Sequence, residues 1–264
     1  IPRPSVKANK GKPLSFRAVL GRVWLYGMAL ALASAGFGVI ATFITLFYDA
    51  KGWDGAAFAL TLFSCAFVGT RLLFPNGINR IGGLNVAMIC FSVEIIGLLL
   101  VGVATMPWMA KIGVLLAGAG FSLVFPALGV VAVKAVPQQN QGAALATYTV
   151  FMDLSLGVTG PLAGLVMSWA GVPVIYLAAA GLVAIALLLT WRLKKRPPEH
   201  VPEAASSSYN LLNNQRINDV FCGGLRFLLI VSRQRDLHRQ HLISHVTQND
   251  GRVRRLAFSG DDAV

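Results

Sequence analysis

An all-α integral membrane fold is the class this sequence predicts, and three observations predict it. Of its 264 residues, 55% are hydrophobic and only 13% are charged, about half the charged share of a soluble domain; the mean hydropathy is +0.65. The apolar residues gather into six runs, each near the roughly 20 residues that cross a bilayer as a helix: 23–47, 56–74, 84–104, 112–133, 143–169 and 173–191. The connections between them are short. Residues 24–70 hold only three charges, Asp49, Lys51 and Asp54, bunched between two runs.

Residues 1–22, with Arg3, Lys7, Lys10, Lys12, Arg17 and Arg22, read as a basic cytoplasmic linker into the first run. The first residue is Ile1, followed by Pro- and Lys-rich sequence, so the chain reads as cut from something longer. With the N-terminus inside, the inner ends of the runs hold Arg71, Arg80, Lys134, Arg192, Lys194, Lys195 and Arg196 in addition to the linker. That totals thirteen Lys and Arg, against Lys51 and Lys111 outside. Excess positive charge marks the cytoplasmic side, so the expectation is a multi-pass protein of the inner membrane with both termini cytoplasmic. Trp53, Trp108 and Trp169 then fall at outer helix ends, where aromatic belts lie. The net charge of +12 is topological on this reading, and nucleic acid is not an expected partner; the lipid bilayer is.

Taken in order, the first run carries Ser34, Gly38, Thr42 and Thr45 at spacings of 4, 4 and 3, a small hydroxyl-bearing stripe on one helical face. The second holds Arg71 a few residues from its inner end, within reach of the surface by snorkelling. The third has Glu94 about mid-span, in a narrow stripe with Ala87, Cys90 and Gly97 that could pack inward. The fourth, with Gly118, Gly120, Phe121, Ser122, Pro126 and Gly129, combines small residues with a helix-disturbing proline.

The fifth run contains T-V-F-M-D-L-S-L-G-V-T-G-P-L-A-G. Thr149, Asp153, Gly157, Gly160 and Gly164 share one small, polar face, with Phe151, Leu154, Val158, Leu162 and Leu165 on the other side. A carboxyl in hydrocarbon costs about 2.5–3.5 kcal/mol on insertion scales, so it faces a cavity or a partner and marks function by default. Gly160 and Gly164 form a G-x-x-x-G spacing that lets backbones approach, and Pro161 removes one helical hydrogen bond. Plain tight packing explains such glycines equally well, and backbone-bonded hydroxyls explain the first-run stripe.

Residues 197–264 read as a polar, basic, disordered tail. From 209 onward the composition changes to Arg- and His-rich, consistent with an out-of-frame extension, a cloning scar or a natural tail. His238, His241 and His245 lie there at helical spacing, a weak metal signal. Cys65, Cys90 and Cys222 suggest no disulfide framework. The apolar runs contain no histidine, and no phosphate loop, H-E-x-x-H or nucleophile elbow occurs. No enzyme, metal or cofactor is expected.

The connection between the second and third runs, F-P-N-G-I-N-R-I-G-G-L-N, resembles the cytoplasmic loop motif of the major facilitator superfamily, G-x-x-x-D-R-x-G-R-R. Asn79, Arg80 and Gly82 match its D-R-x-G core with Asn for Asp; Gly83 replaces the first basic residue and Pro75 the leading glycine. Family members carry this loop between helices 2 and 3 and, degenerate, between helices 8 and 9. G-V-T-G-P-L-A-G is similar to the Gly-Pro pattern of helix 5 or its mate, helix 11. The six runs therefore look like helices 7–12, a half of a twelve-helix fold that itself consists of two inverted three-helix repeats, and resemble bacterial inner-membrane sugar- or arabinose-efflux-type members. The resemblance implies a proton-coupled secondary transporter whose halves rock about a shared substrate site, with the N-terminal six helices missing here. It implies a cavity for a small-molecule substrate lined by helix 7 (Ser34, Gly38, Thr42, Thr45) and helix 10 (Gly118, Phe121, Ser122, Pro126). Protons would couple or gate through Asp153, Arg71 and Glu94. Two alternatives stay open: an inactive remnant of a broken transporter gene, and a six-helix homodimeric permease or channel.

Overall fold

The computed structural model describes residues 14–74 and 77–195. It contains α1 (Phe16–Lys51), α2 (Ala56–Leu73), α3 (Gly77–Ile81), α4 (Gly83–Gly102), α5 (Pro107–Ser122), α6 (Val124–Lys134), a single 3-10 turn (Gln138–Asn140), α7 (Gln141–Ala170) and α8 (Val172–Lys195). No strand occurs among the described residues. Six spans are long and apolar enough to cross a membrane, with α5 and α6 counting as one. The expected all-α membrane fold with six transmembrane helices is present. The basic residues of 1–13, Arg196, Pro75, Cys222, the three tail histidines and the whole of 197–264 lie outside the described residues.

Three boundaries differ from the sequence expectation. α1 starts at Phe16 rather than near 23, so Arg17 and Arg22 are helical. Its first turn is held by tertiary contacts: Val19 is buried, and Asn140 clamps the chain just upstream. Leu14 N–H donates to Asn140 Oδ1 at 2.9 Å and Asn140 Nδ2 donates back to the Leu14 carbonyl at 3.0 Å. Arg22 adds a bond to the Ala135 carbonyl at 3.3 Å. The fourth run is broken at Leu123 into α5 and α6. Pro126 has no N–H for the Ser122 carbonyl, so the ladder fails one turn before it. The loop motif itself coils into α3, and α4 starts only after Gly82, whose φ of +87° suits glycine alone.

The other ends follow local chemistry. Gly52 closes α1 in the left-handed conformation, with Trp53 N–H reaching back to the Tyr48 carbonyl at 2.9 Å. Pro107 opens α5, where its missing N–H costs nothing. Lys51 lies over the Phe47 and Trp53 rings, and Lys111 over Phe58 and Trp108, so both lysines stack on aromatic faces.

Two packing layers position the functional residues. α4 packs chiefly on α5 and α8, and α1 on α7 and α8; α2 rests mainly on α5. Small residues set the α4–α5 approach. A Cβ on Gly97 would come within 2.6 Å of the Gly113 carbonyl, and one on Gly113 within 2.7 Å of the Gly97 carbonyl. These backbones touch because neither residue has a side chain. α1 meets α7 the same way, Gly27 against the Phe151 ring and Gly38 against Leu156 and Thr159, with Ser155 Oγ donating to the Ala31 carbonyl. The spans are unequally covered. In the most apolar stretch of each, 72% of residues are buried in the α5–α6 span and 61% in α1, but 17% in α2 and 11% in α7.

Candidate functional site

α7 runs unbroken through Pro161 and turns its small, polar stripe out of the bundle. Asp153 and Gly157 are exposed, Thr149, Gly160 and Gly164 half-buried. A Cβ on Gly157, Gly160 or Gly164 would have nothing within 4 Å among its neighbours. The tight-packing explanation therefore does not hold for these three glycines within this bundle. Thr149 bonds its own helix, Oγ to the Leu145 carbonyl at 2.8 Å. Because Pro161 donates no hydrogen bond, the Gly157 carbonyl one turn earlier has no helical partner. The face thus combines a carboxylate, a free carbonyl and three positions where another helix could approach to backbone distance. Asp153 stands twelve residues into the thirty of α7, about 18 Å along it.

An apolar groove of about 460 Å³ adjoins this face between the first turns of α1 and the first half of α7. Phe16, Leu20, Ala146, Val150 and Leu154 line it. Leu162 and Leu165 further along α7 are exposed as well.

The second acid is placed oppositely. Glu94 is eleven residues into α4, at similar depth, but only 1% exposed. Neither carboxyl oxygen has a hydrogen-bond partner. Ala87, Cys90 and Gly97, the rest of its stripe, are buried with it. Arg71 is half-buried in the last turn of α2; no ion pair joins it to Asp153 or Glu94 among the described residues.

The residues expected to line a cavity divide in two. Ser34 is fully buried and bonds the Leu30 carbonyl at 2.8 Å. Gly38 is sealed by α7. Gly118 lies against the Phe63 backbone, 2.6 Å from a built Cβ to that carbonyl. Phe121 stacks on Phe37 at 5.1 Å between ring centres, Ser122 Oγ donates to the Phe67 carbonyl, and Pro126 is buried in α6. Thr42 is exposed and Thr45 half-buried. Of the loop motif, Asn79 and Arg80 lie on α3, with Arg80 exposed.

Sequence reading missed two participants and one pairing. Gly36 of α1 leaves the space that the Glu94 carboxyl occupies, Asn140 pins the start of α1, and Gly120, singled out only as a small residue, lets α5 approach the α4 backbone at Glu94. The run A-S-A-G-F-G gave a signal for close approach at Gly36, without its partner. Nothing local in Q-Q-N-Q marks Asn140 as a clamp.

The sequence model of the Major Facilitator Superfamily matches residues 26–243 of this chain. The chain is similar to the MFS-type transporter YhhS of Escherichia coli K12, 99% identical over 208 residues, which are 79% of this chain and 51% of that protein. The Shigella flexneri protein of the same description matches with the same identity and coverage. That of Salmonella typhimurium LT2 is 92% identical over the same shares. The chain spans about half the length of these relatives.

Proposed function

This chain belongs to the Major Facilitator Superfamily, and from that premise we propose that it is the C-terminal six-helix half of a proton-coupled secondary transporter. The intact protein moves a small organic solute outward across the bacterial inner membrane, with both ends of this half on the cytoplasmic side. The observation that carries the reading is the open face of α7. An acid twelve residues into a membrane-length helix, three glycines with empty space before them and an adjoining apolar groove have no complement among the described residues, and a carboxyl is not left facing hydrocarbon. A matching six-helix half supplies that complement, and rocking of the two halves alternately covers and opens the space between them.

In this mechanism Asp153 gains and loses a proton, or an ion pair with the opposing half, as the halves rock. Arg71, at the inner end of the little-covered α2, acts with it as a gate. Thr42 and Thr45 of α1 contribute hydroxyls toward the substrate, while Ser34, Gly38, Gly118, Phe121, Ser122 and Pro126 shape the wall behind them. Asn79, Arg80 and Gly82 order the inner loop between α2 and α4. Residues 209–264 are a segment apart from the working bundle. In favour of this, the near-identical relatives align over 208 residues only; against it, the family match runs to 243.

The test is Asp153→Asn in the full-length transporter, assayed in everted vesicles against a panel of sugars, drugs and amphiphiles. Loss of proton-driven transport is expected, with folding largely intact. Undiminished transport refutes the coupling role. A second copy of this chain covering the same face, as in a homodimeric permease, would instead appear as transport by this chain alone.

A further inference from the structure

Glu94 takes no part in the open face. It lies buried inside this half, and no hydrogen-bond donor reaches either carboxyl oxygen. A Cβ on Gly36 of α1 would stand 2.7 Å from Glu94 Oε1, 2.9 Å from Leu98 and 3.4 Å from Val183 of α8. The carboxyl tip therefore occupies the space that a side chain at position 36 would fill. On the α5 side, a Cβ on Gly120 would be 2.5 Å from Glu94 N and 2.8 Å from the Cys90 carbonyl. Cys90, one turn away on α4, is its titratable neighbour on the same helix, and the charged residues of α1, α5 and α8 (Arg17, Arg22, Asp49, Lys51, Lys111, Arg192, Lys194, Lys195) lie toward the ends of those helices.

Such an enclosure has a definite chemistry. A carboxylate stripped of water and given no donor is costly by several kcal/mol, whereas the neutral acid is tolerated. A methionine would fill the same volume with no unsatisfied oxygen, yet an acid stands here, and Gly36 on a neighbouring helix leaves space for its tip. The ligand this pocket takes is a proton.

We propose that Glu94 is a proton-binding site built into this half alone, occupied while α4 is packed on α1, α5 and α8, and emptied when α4 parts from α1 at Gly36. On emptying, the carboxyl O–H bond breaks, its electron pair stays on the carboxylate, and the proton passes to water entering the gap. This deepens the proton-coupled reading by adding a second acid, remote from the face that Asp153 occupies.

The experiment is infrared spectroscopy of the full chain in lipid nanodiscs across pH. The chain holds three glutamates, Glu94, Glu199 and Glu203, so a Glu199→Gln, Glu203→Gln background with isotope-labelled glutamate leaves Glu94 as the sole reporter. A protonated-carboxyl band that persists at neutral pH, shifts with the label, is lost in Glu94→Gln and survives in Asp153→Asn is expected. A labelled carboxyl that is ionised at neutral pH overturns the proposal, and needs no variant at the site to fold. The packed form keeps a proton that the unfolded chain releases, so the folded fraction must fall as pH rises. The fall approaches about tenfold in the equilibrium constant per pH unit, and Glu94→Gln must flatten it. An equal slope in both proteins also overturns the proposal. If the band is present and Asp153→Asn transports normally, the coupling role of Asp153 fails and the Glu94 site stands; the reverse pattern sinks only the Glu94 site.

Discussion

The α4–α5 seam and the outer face of α7 are built from the same two ingredients, glycine and one acid at mid-membrane depth, with opposite results. At the seam every glycine is spent on contact: Gly97, Gly113 and Gly120 each bring another backbone to within a built Cβ's exclusion distance, and Glu94 is sealed beside them. On α7 the glycines meet nothing and Asp153 faces outward. The difference teaches that small residues in a membrane helix mark a place for close approach without saying whether the partner is in the same bundle. Where the partner is present, the acid is dry and unpaired; where it is not, the acid stands open.

Substitutions can break that contrast. The largest effect is expected from Gly120→Ala or Gly97→Ala, which force a methyl into backbone. Overpacking of this kind costs about 1–3 kcal/mol, readable as a lowered midpoint of denaturant unfolding in detergent. A midpoint within error of wild type would mean the seam is looser than described. Next comes Glu94→Met, which removes two unsatisfied oxygens at nearly constant volume. It is expected to stabilise this chain by about 1–3 kcal/mol, the cost of an unpaired buried polar group, and a loss of stability would show that the carboxyl has a partner after all. The smallest effect is reserved for Gly160→Ala on the open face. With space before it and the better helix propensity of alanine, it is expected to change stability of the isolated chain by between zero and about +1 kcal/mol. In the full-length transporter the same methyl should slow transport, because the face is then covered. An equal lack of effect in both settings would sever the face from any partner.

Much of this was legible in advance. Hydropathy located six spans, because crossing hydrocarbon imposes a length that no tertiary context alters. The face of α7 was legible too, since Asp153 and its glycines follow helical period. What escaped depended on contacts between residues distant in the chain. The onset of α1 at Phe16 rests on Asn140, more than a hundred residues on. The break at Leu123 follows from Pro126, whose effect on the ladder falls one turn earlier than its position suggests. The enclosure of Glu94 needs Gly36 and Gly120 from two other helices, and periodicity within α4 could say only that its stripe might face inward.

The reciprocal bonds between Leu14 and Asn140, with Arg22 on Ala135, have a mechanical consequence. They rivet the strand of chain arriving at α1 to the turn from which α7 springs. A pull on that strand from upstream is delivered not to α1 alone but to the root of the helix bearing Asp153. The first turn of α1 and the root of α7 are thereby one mechanical unit, so neither tilts without the other.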